Sequence, residues 1–176
     1  MKRISLFLIL ILSSCSSSTK KQIVKPSFKN FEAIKLGASA SSMENELGPP
    51  TAITKNEKFG ANDFWVYDDK DGRQIGAASI DSKTRLVTSI TAIPKAEESE
   101  FKLDFLINTK YPNMKFEKTP RLRCHRDYFP MEIFYISSEN GLIIESDKLH
   151  DEVSAISWTS PAAAEHLMTQ LKNCEK

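Results

Sequence analysis

The hydrophobic pattern changes character along the chain. Residues 4–12 form an apolar block broken only by Ser5, and residues 16–26 are small, polar and basic. From residue 31 the apolar positions fall into helical and strand periods. Ala40, Met43 and Leu47 recur at three- and four-residue spacing and predict a helix over 39–47. Ser39 or Ser41 suits its N-cap, and Ser41 with Glu44 has capping-box spacing. Gly48 suits the left-handed residue past a helix end, and Pro49 and Pro50 stop continuation. Residues 64–67 read as a strand with Trp65 and Tyr67 on one face, and 68–72 as a hairpin turn carrying Asp71-Gly72. Strands over 74–80 and 86–93 follow, the latter with Leu86, Thr88, Ile90 and Ala92 on one face.

The order then repeats. Residues 97–110 predict a helix carrying Phe101, Phe105 and Leu106, ended by 111–113. Short strands are expected at 114–118, 131–136, 142–145 and 153–158, with Asn140-Gly141 as a turn. Val87, Ile90 and Ala92 match Val153, Ile156 and Trp158 at one offset of 66 residues. A last helix starts with Ser160 as cap and Pro161 in its first turn, and carries an apolar stripe of Ala164, Leu167, Met168 and Leu171. These elements predict an α+β fold. Helices pack on antiparallel sheet, in two tandem helix-plus-three-strand units with a C-terminal helix. The boundaries follow: 1–14 a leader, 15–30 a tether, 31–94 the first unit and 95–176 the second.

The leader carries its own signal. Lys2 and Arg3 precede an apolar run of nine residues, too short to span a bilayer but fit for a secretory signal. Leu12-Ser13-Ser14-Cys15 follows and resembles the lipobox of bacterial lipoproteins. That resemblance implies acylation of Cys15 as the first mature residue. With Ser16 next, it also implies sorting to the outer membrane, with the folded part facing the periplasm. Residues 16–26 then read as the flexible link to that folded part.

Gly37, Ser39, Met43, Leu47, Gly48, Pro50, Trp65 and Tyr67 together make a second pattern. It resembles the BamE/SmpA family of small outer-membrane lipoproteins: a glycine, a Ser or Thr two on, an apolar helix, Leu-Gly-x-Pro, then Trp-x-Tyr on the first strand. The resemblance covers residues 31–94. It implies a compact protein-binding module and a link to outer-membrane assembly or maintenance. The tandem arrangement also resembles the β-lactamase-inhibitor-protein fold, a binding scaffold.

Composition narrows the chemistry. The formal charge of +1 argues against a nucleic-acid surface, and loss of Lys2 and Arg3 with the leader makes it −1. No nucleophile elbow, phosphate loop or His-Glu-x-x-His is present, so no enzyme, cofactor or metal is expected. His125, His150 and His166 fall in no catalytic spacing. Asp69 and Asp71 lack the twelfth-position acid of a calcium loop and read as turn residues. Arg121, Arg123 and Arg126 form a candidate anion contact or, more simply, a solvated edge. Once Cys15 is acylated, Cys124 and Cys174 are the remaining thiols, a disulfide hypothesis for an oxidising compartment. The function expected is a membrane-anchored, non-catalytic protein-binding module. The alternative is a carrier or sensor of a small envelope ligand, a lipid or cell-wall fragment.

Overall fold

The computed structural model describes residues 26–55, 62–94, 101–120, 132–147 and 152–173. Two helices lead, α1 (Phe28–Ala33) and α2 (Ala40–Leu47). Ser39 caps α2, its Oγ accepting the Ser42 N–H at 3.1 Å. Gly48 ends it at φ 80°, a conformation open to a residue without Cβ. Strands β1 (Ala52–Lys55), β2 (Asn62–Asp68), β3 (Gln74–Asp81) and β4 (Val87–Ala92) follow. Next come α3 (Leu103–Phe105), running on as a π turn over Leu106–Lys110, and strands β5 (Glu117–Pro120), β6 (Glu132–Ser137), β7 (Leu142–Asp147) and β8 (Val153–Thr159). Helix α4 (Pro161–Asn173) is last, with the Ser160 Oγ accepting the Ala163 N–H at 3.2 Å.

All eight strands join one antiparallel sheet in the order β1-β2-β3-β4-β8-β7-β6-β5. The fold is therefore α+β, with strand dominant over helix. The order mirrors about the β4–β8 ladder, where Thr91 pairs with Ser157. Their hydroxyls lie 2.8 Å apart, across 66 residues of sequence. The same offset relates the bulge at Ser79/Ile80 to the bulge at Glu145/Ser146. It also relates two backbone bonds, Asp81 N–H to the Leu86 carbonyl (2.9 Å) and Asp147 N–H to the Glu152 carbonyl (2.8 Å). The N-cap residues of α2 and α3, Ser39 and Lys102, bridge to Leu86 and Glu152 respectively.

One face of the sheet carries α1, α2 and α3. Met43, Leu47 and Phe31 pack there on Trp65, Tyr67, Ile80 and Ile90. Leu103 and Leu106 pack on Leu142, Ile144 and Ile156. Phe28 bridges the two clusters, its ring 4.5 Å from Phe101 and 5.7 Å from Trp158 between centroids. Gly76 is dictated by this layer: a Cβ there would stand 2.5 Å from a Phe31 ring carbon and 2.7 Å from the Thr91 carbonyl oxygen. On the opposite face, α4 lays Ala164, Met168 and Leu171 over Phe134 and Ile136.

Four expectations change. The first side of the sheet has four strands rather than three, because β1 joins as an edge. Its four residues are all exposed and give no alternation to read. Residues 28–30, assigned to the tether, belong to α1, where Phe28 and Phe31 supply a core contact three residues apart. In β4 the bulge breaks the two-residue period, so Val87 is buried and Leu86 is 39% exposed. The helix expected over 97–110 has only the short α3 and its π turn among its described residues, and Phe105 points outward at 40% exposure.

Candidate functional site

Of the eight motif residues, Met43, Leu47, Trp65 and Tyr67 share one core, and Gly37, Ser39, Gly48 and Pro50 shape the ends of α2 above it. The Gly37 N–H donates to the Val87 carbonyl at 2.8 Å, the Val87 N–H to the Ala38 carbonyl at 2.9 Å, and the Ala40 N–H to the Arg85 carbonyl at 2.8 Å. These bonds stitch the start of α2 to the start of β4. Met43, Leu47, Trp65 and Tyr67 are all buried beneath it. Pro49 and Pro50 then turn the chain into β1. Each of the eight residues thus has a folding task, and that explains their spacing without any chemistry on a substrate.

Two ionic clamps border this core. Arg85 pairs with the buried carboxylate of Asp63 at 2.7 Å and sets its guanidinium 5.5 Å over the Trp65 ring. Lys110 pairs with Glu32 at 2.8 Å and lies 4.5 Å over the Phe28 ring. The Tyr111 hydroxyl donates to the same carboxylate at 3.0 Å. Burial pushes the Tyr111 pKa up, and the Glu32 charge adds to that. This second clamp ties α1 to the π turn and so spans the two sides of the molecule.

A groove opens where α2 ends. Leu47, Pro49, Tyr67 and Ile75 give it apolar walls, Pro26 closes one side, and its volume is about 290 Å³. Asp68, Asp69 and Asp71 line its hairpin side with a single cation, Lys70. Asp69 also closes the hairpin, its Oδ1 accepting the Asp71 N–H at 2.9 Å and the Arg73 N–H at 3.1 Å. The Tyr67 hydroxyl is buried and has no hydrogen-bond partner among the described residues. Burial pushes its pKa up, helped by the Glu44 charge, so the phenol remains a donor at neutral pH. The groove lies wholly within the first half of the chain.

A second surface is the outer face of β1 to β4. By register and alternation, Ala52, Thr54, Phe64, Val66, Ala77 and Thr91 share that face with Ser79 and Ser89, and the pair Asn62 and Asp81 ends it. It is the side of the sheet that α4 covers on β6. Phe64 is 40% exposed there. Around Phe64 the neighbours Thr54, Val66, Ala77 and Ser79 are uncharged.

Of the other predicted site residues, Cys15, Cys124, Cys174, Arg121, Arg123 and Arg126 lie outside the described residues. So do His125 and His150, while His166 is exposed on α4. Among the described residues no group of three or more His, Cys, Asp or Glu could hold a metal. No helix among them is long and apolar enough to cross a membrane. No family model, curated protein or solved structure matches the chain. The groove escaped sequence reasoning because its walls come from four separate segments. The only local sign was an apolar Ile75 just after a turn of acids.

Proposed function

We propose that the chain is an envelope lipoprotein, acylated at Cys15, whose folded part is a non-catalytic protein-binding module facing the periplasm at the outer membrane. In this reading the partner is a protein of outer-membrane assembly or maintenance. The observation that carries the binding role is the run of uncharged side chains Thr54, Phe64, Val66 and Ala77 on the outer face of the first half, with Phe64 40% exposed. An exposed aromatic among uncharged side chains is the composition of the core of a protein contact. The lipobox residues 12–15 carry the anchoring role. Multiple acyl chains hold more firmly than one, each buried methylene adding about 0.8 kcal/mol.

The shared 66-residue offset of bulges, bonds and the Thr91–Ser157 pair supports a duplicated origin for the two sides. Among the described residues α4 covers the outer face of the second half and no helix covers that of the first, a built-in difference between the halves. The carrier reading draws on the 290 Å³ groove, but that groove sits at one end rather than between the halves.

Two measurements test the proposal. Cys15→Ser is expected to leave the membrane fraction after a carbonate wash, and retention there would overturn the anchor. A photo-crosslinking amino acid at position 64, in native envelopes, is expected to capture proteins of barrel assembly or envelope maintenance. The same yield and set of products from a crosslinker placed at exposed Gln170 on α4 would overturn the binding face.

A further inference from the structure

We propose that the open face around Phe64 is a seat for an amphipathic helix of the partner protein, the counterpart of the seat that α4 fills on the second side. The proposal rests on the reading of that face as a protein contact, and it names the shape of what binds there. Outward from the Thr91–Ser157 pair, Ala77 and then Val66 on one side stand where Ile143 and then Ile136 stand on the other. In the neighbouring row Phe64 pairs with Thr54, as Phe134 pairs with Thr119. Both sets lie on the same face of the sheet. The second side therefore displays the first side's seat with its occupant in place.

That occupant is α4. Its Ala164, Met168 and Leu171 cover Phe134 and Ile136, and the Thr119 hydroxyl donates to the Met168 sulfur at 3.6 Å. Apolar residues four and then three apart form one stripe, the way a helix lies on an apolar seat. On the first side no helix covers the seat among the described residues. Strand β8 runs straight into α4 on this face, whereas the next described helix after β4 is α3, on the other face. Phe64 consequently keeps 40% exposure, and Thr54 is exposed where Thr119 is buried. The first seat is also roomier, since Val66 and Ala77 stand in the places of Ile136 and Ile143. The helix that fits it therefore carries larger apolar residues than α4 does. It needs no matching cation either: Lys172 of α4 pairs with Glu117, and Ala52 occupies the place of Glu117.

The probe is a labelled synthetic peptide with the sequence of residues 160–173 carrying Ala164→Leu, titrated against the purified full chain. Saturable binding is expected, with a rise in the helical circular dichroism of the peptide. Phe64→Glu charges the seat and Ala77→Trp fills it, and each should weaken binding roughly tenfold, as loss of a central anchor does. A retained single urea transition shows that each variant still folds. Absence of binding to the wild-type chain, or equal binding to both variants, would overturn the proposal. So would equal binding of the same peptide carrying Leu167→Pro, because the seat would then take any apolar chain rather than a helix. A dimer that forms with rising concentration in wild type and not in Phe64→Glu would overturn it too, by assigning the face to a second copy. In native envelopes, crosslinks from position 64 are expected to map to one stripe of a helix in the captured protein, at three- and four-residue spacing. Crosslinks to a strand or loop would overturn the helix seat and leave the binding module standing. Specific peptide binding without any capture in the envelope would support the seat and overturn the envelope partner.

Discussion

Phe64 and Phe134 occupy corresponding places on the two sides of the sheet. Phe64 pairs with Ser79 and Phe134 with Glu145, partners that are themselves 66 residues apart. Yet Phe64 is 40% exposed and Phe134 only 8%, because α4 covers the second side alone. The helices on the other face differ as well. Helix α2 has eight residues, a serine cap and a glycine stop, whereas α3 has three residues, an uncapped start and a π turn. Ala40 and Met43 nevertheless have the same spacing as Leu103 and Leu106, and all four are buried. What the two sides share is the ladder and its bulges. What separates them is which surfaces are closed, and an open surface is where a partner can act.

The largest effect is expected where the sides meet. Ile156 is fully buried on β8, opposite Ala92 on β4 and Ile144 on β7. Ile156→Ala should cost about 4 kcal/mol, the upper part of the range for such cavities. Denaturant melts should keep one transition, because the ladder couples both sides. A melt that split into two steps would break the idea of a single cooperative sheet.

The phenylalanine pair sharpens the contrast directly. Phe134→Ala is expected to lose about 3 kcal/mol, and Phe64→Ala less than about 1. Equal losses in a urea series would mean that something covers Phe64 as α4 covers Phe134. A smaller effect is expected at the centre of the mirror. A double-mutant cycle of Thr91→Val with Ser157→Ala should give a coupling of about 1 kcal/mol for the shared hydroxyl bond. Zero coupling would leave the ladder to the backbone alone.

The smallest effect is electrostatic. The Thr84 N–H and hydroxyl, with the Lys83 N–H, hold the Asp81 carboxyl below its ordinary value of 3.8. A depressed native pKa stabilises the fold above the unfolded value and is lost as pH falls through the native one. Asp81→Asn should therefore lower the melting temperature slightly at pH 7, and the difference from wild type should shrink as the pH falls below the ordinary carboxylate value and the native carboxyl protonates. A difference that persisted unchanged at low pH would show that the turn gains nothing from the charge.

Much of this architecture was legible in the sequence. Ser39, Gly48 and the two prolines bounded α2, Asp71-Gly72 marked the β2–β3 turn, and Ser160-Pro161 opened α4, since each of these signals is local. The failures were of two physical kinds. Some elements were too short or too exposed to carry a period, such as β1 and the π turn. Others were set by distant contacts: Phe28 reads as tether until Phe101 and Trp158 surround it. The bulge in β4 shifted burial from Leu86 to Val87, and no pattern confined to one strand shows that. The 66-residue offset was visible, but that its members lie face to face across one ladder was not. The core residues of the candidate site were readable as fold residues. The groove was not, being assembled from Pro26, the end of α2 and two strands.

The chain's point of entry has a mechanical meaning. Eight strands about 4.8 Å apart make a plank roughly 34 Å wide. Pro26 joins it beside the β2–β3 hairpin, off centre, with β5 at the far rim. Any line attached upstream of Pro26 therefore holds the plank like an oar in a rowlock. A small pivot at that hold swings the far blade through a wide arc, while the surface around Phe64 stays near the fulcrum.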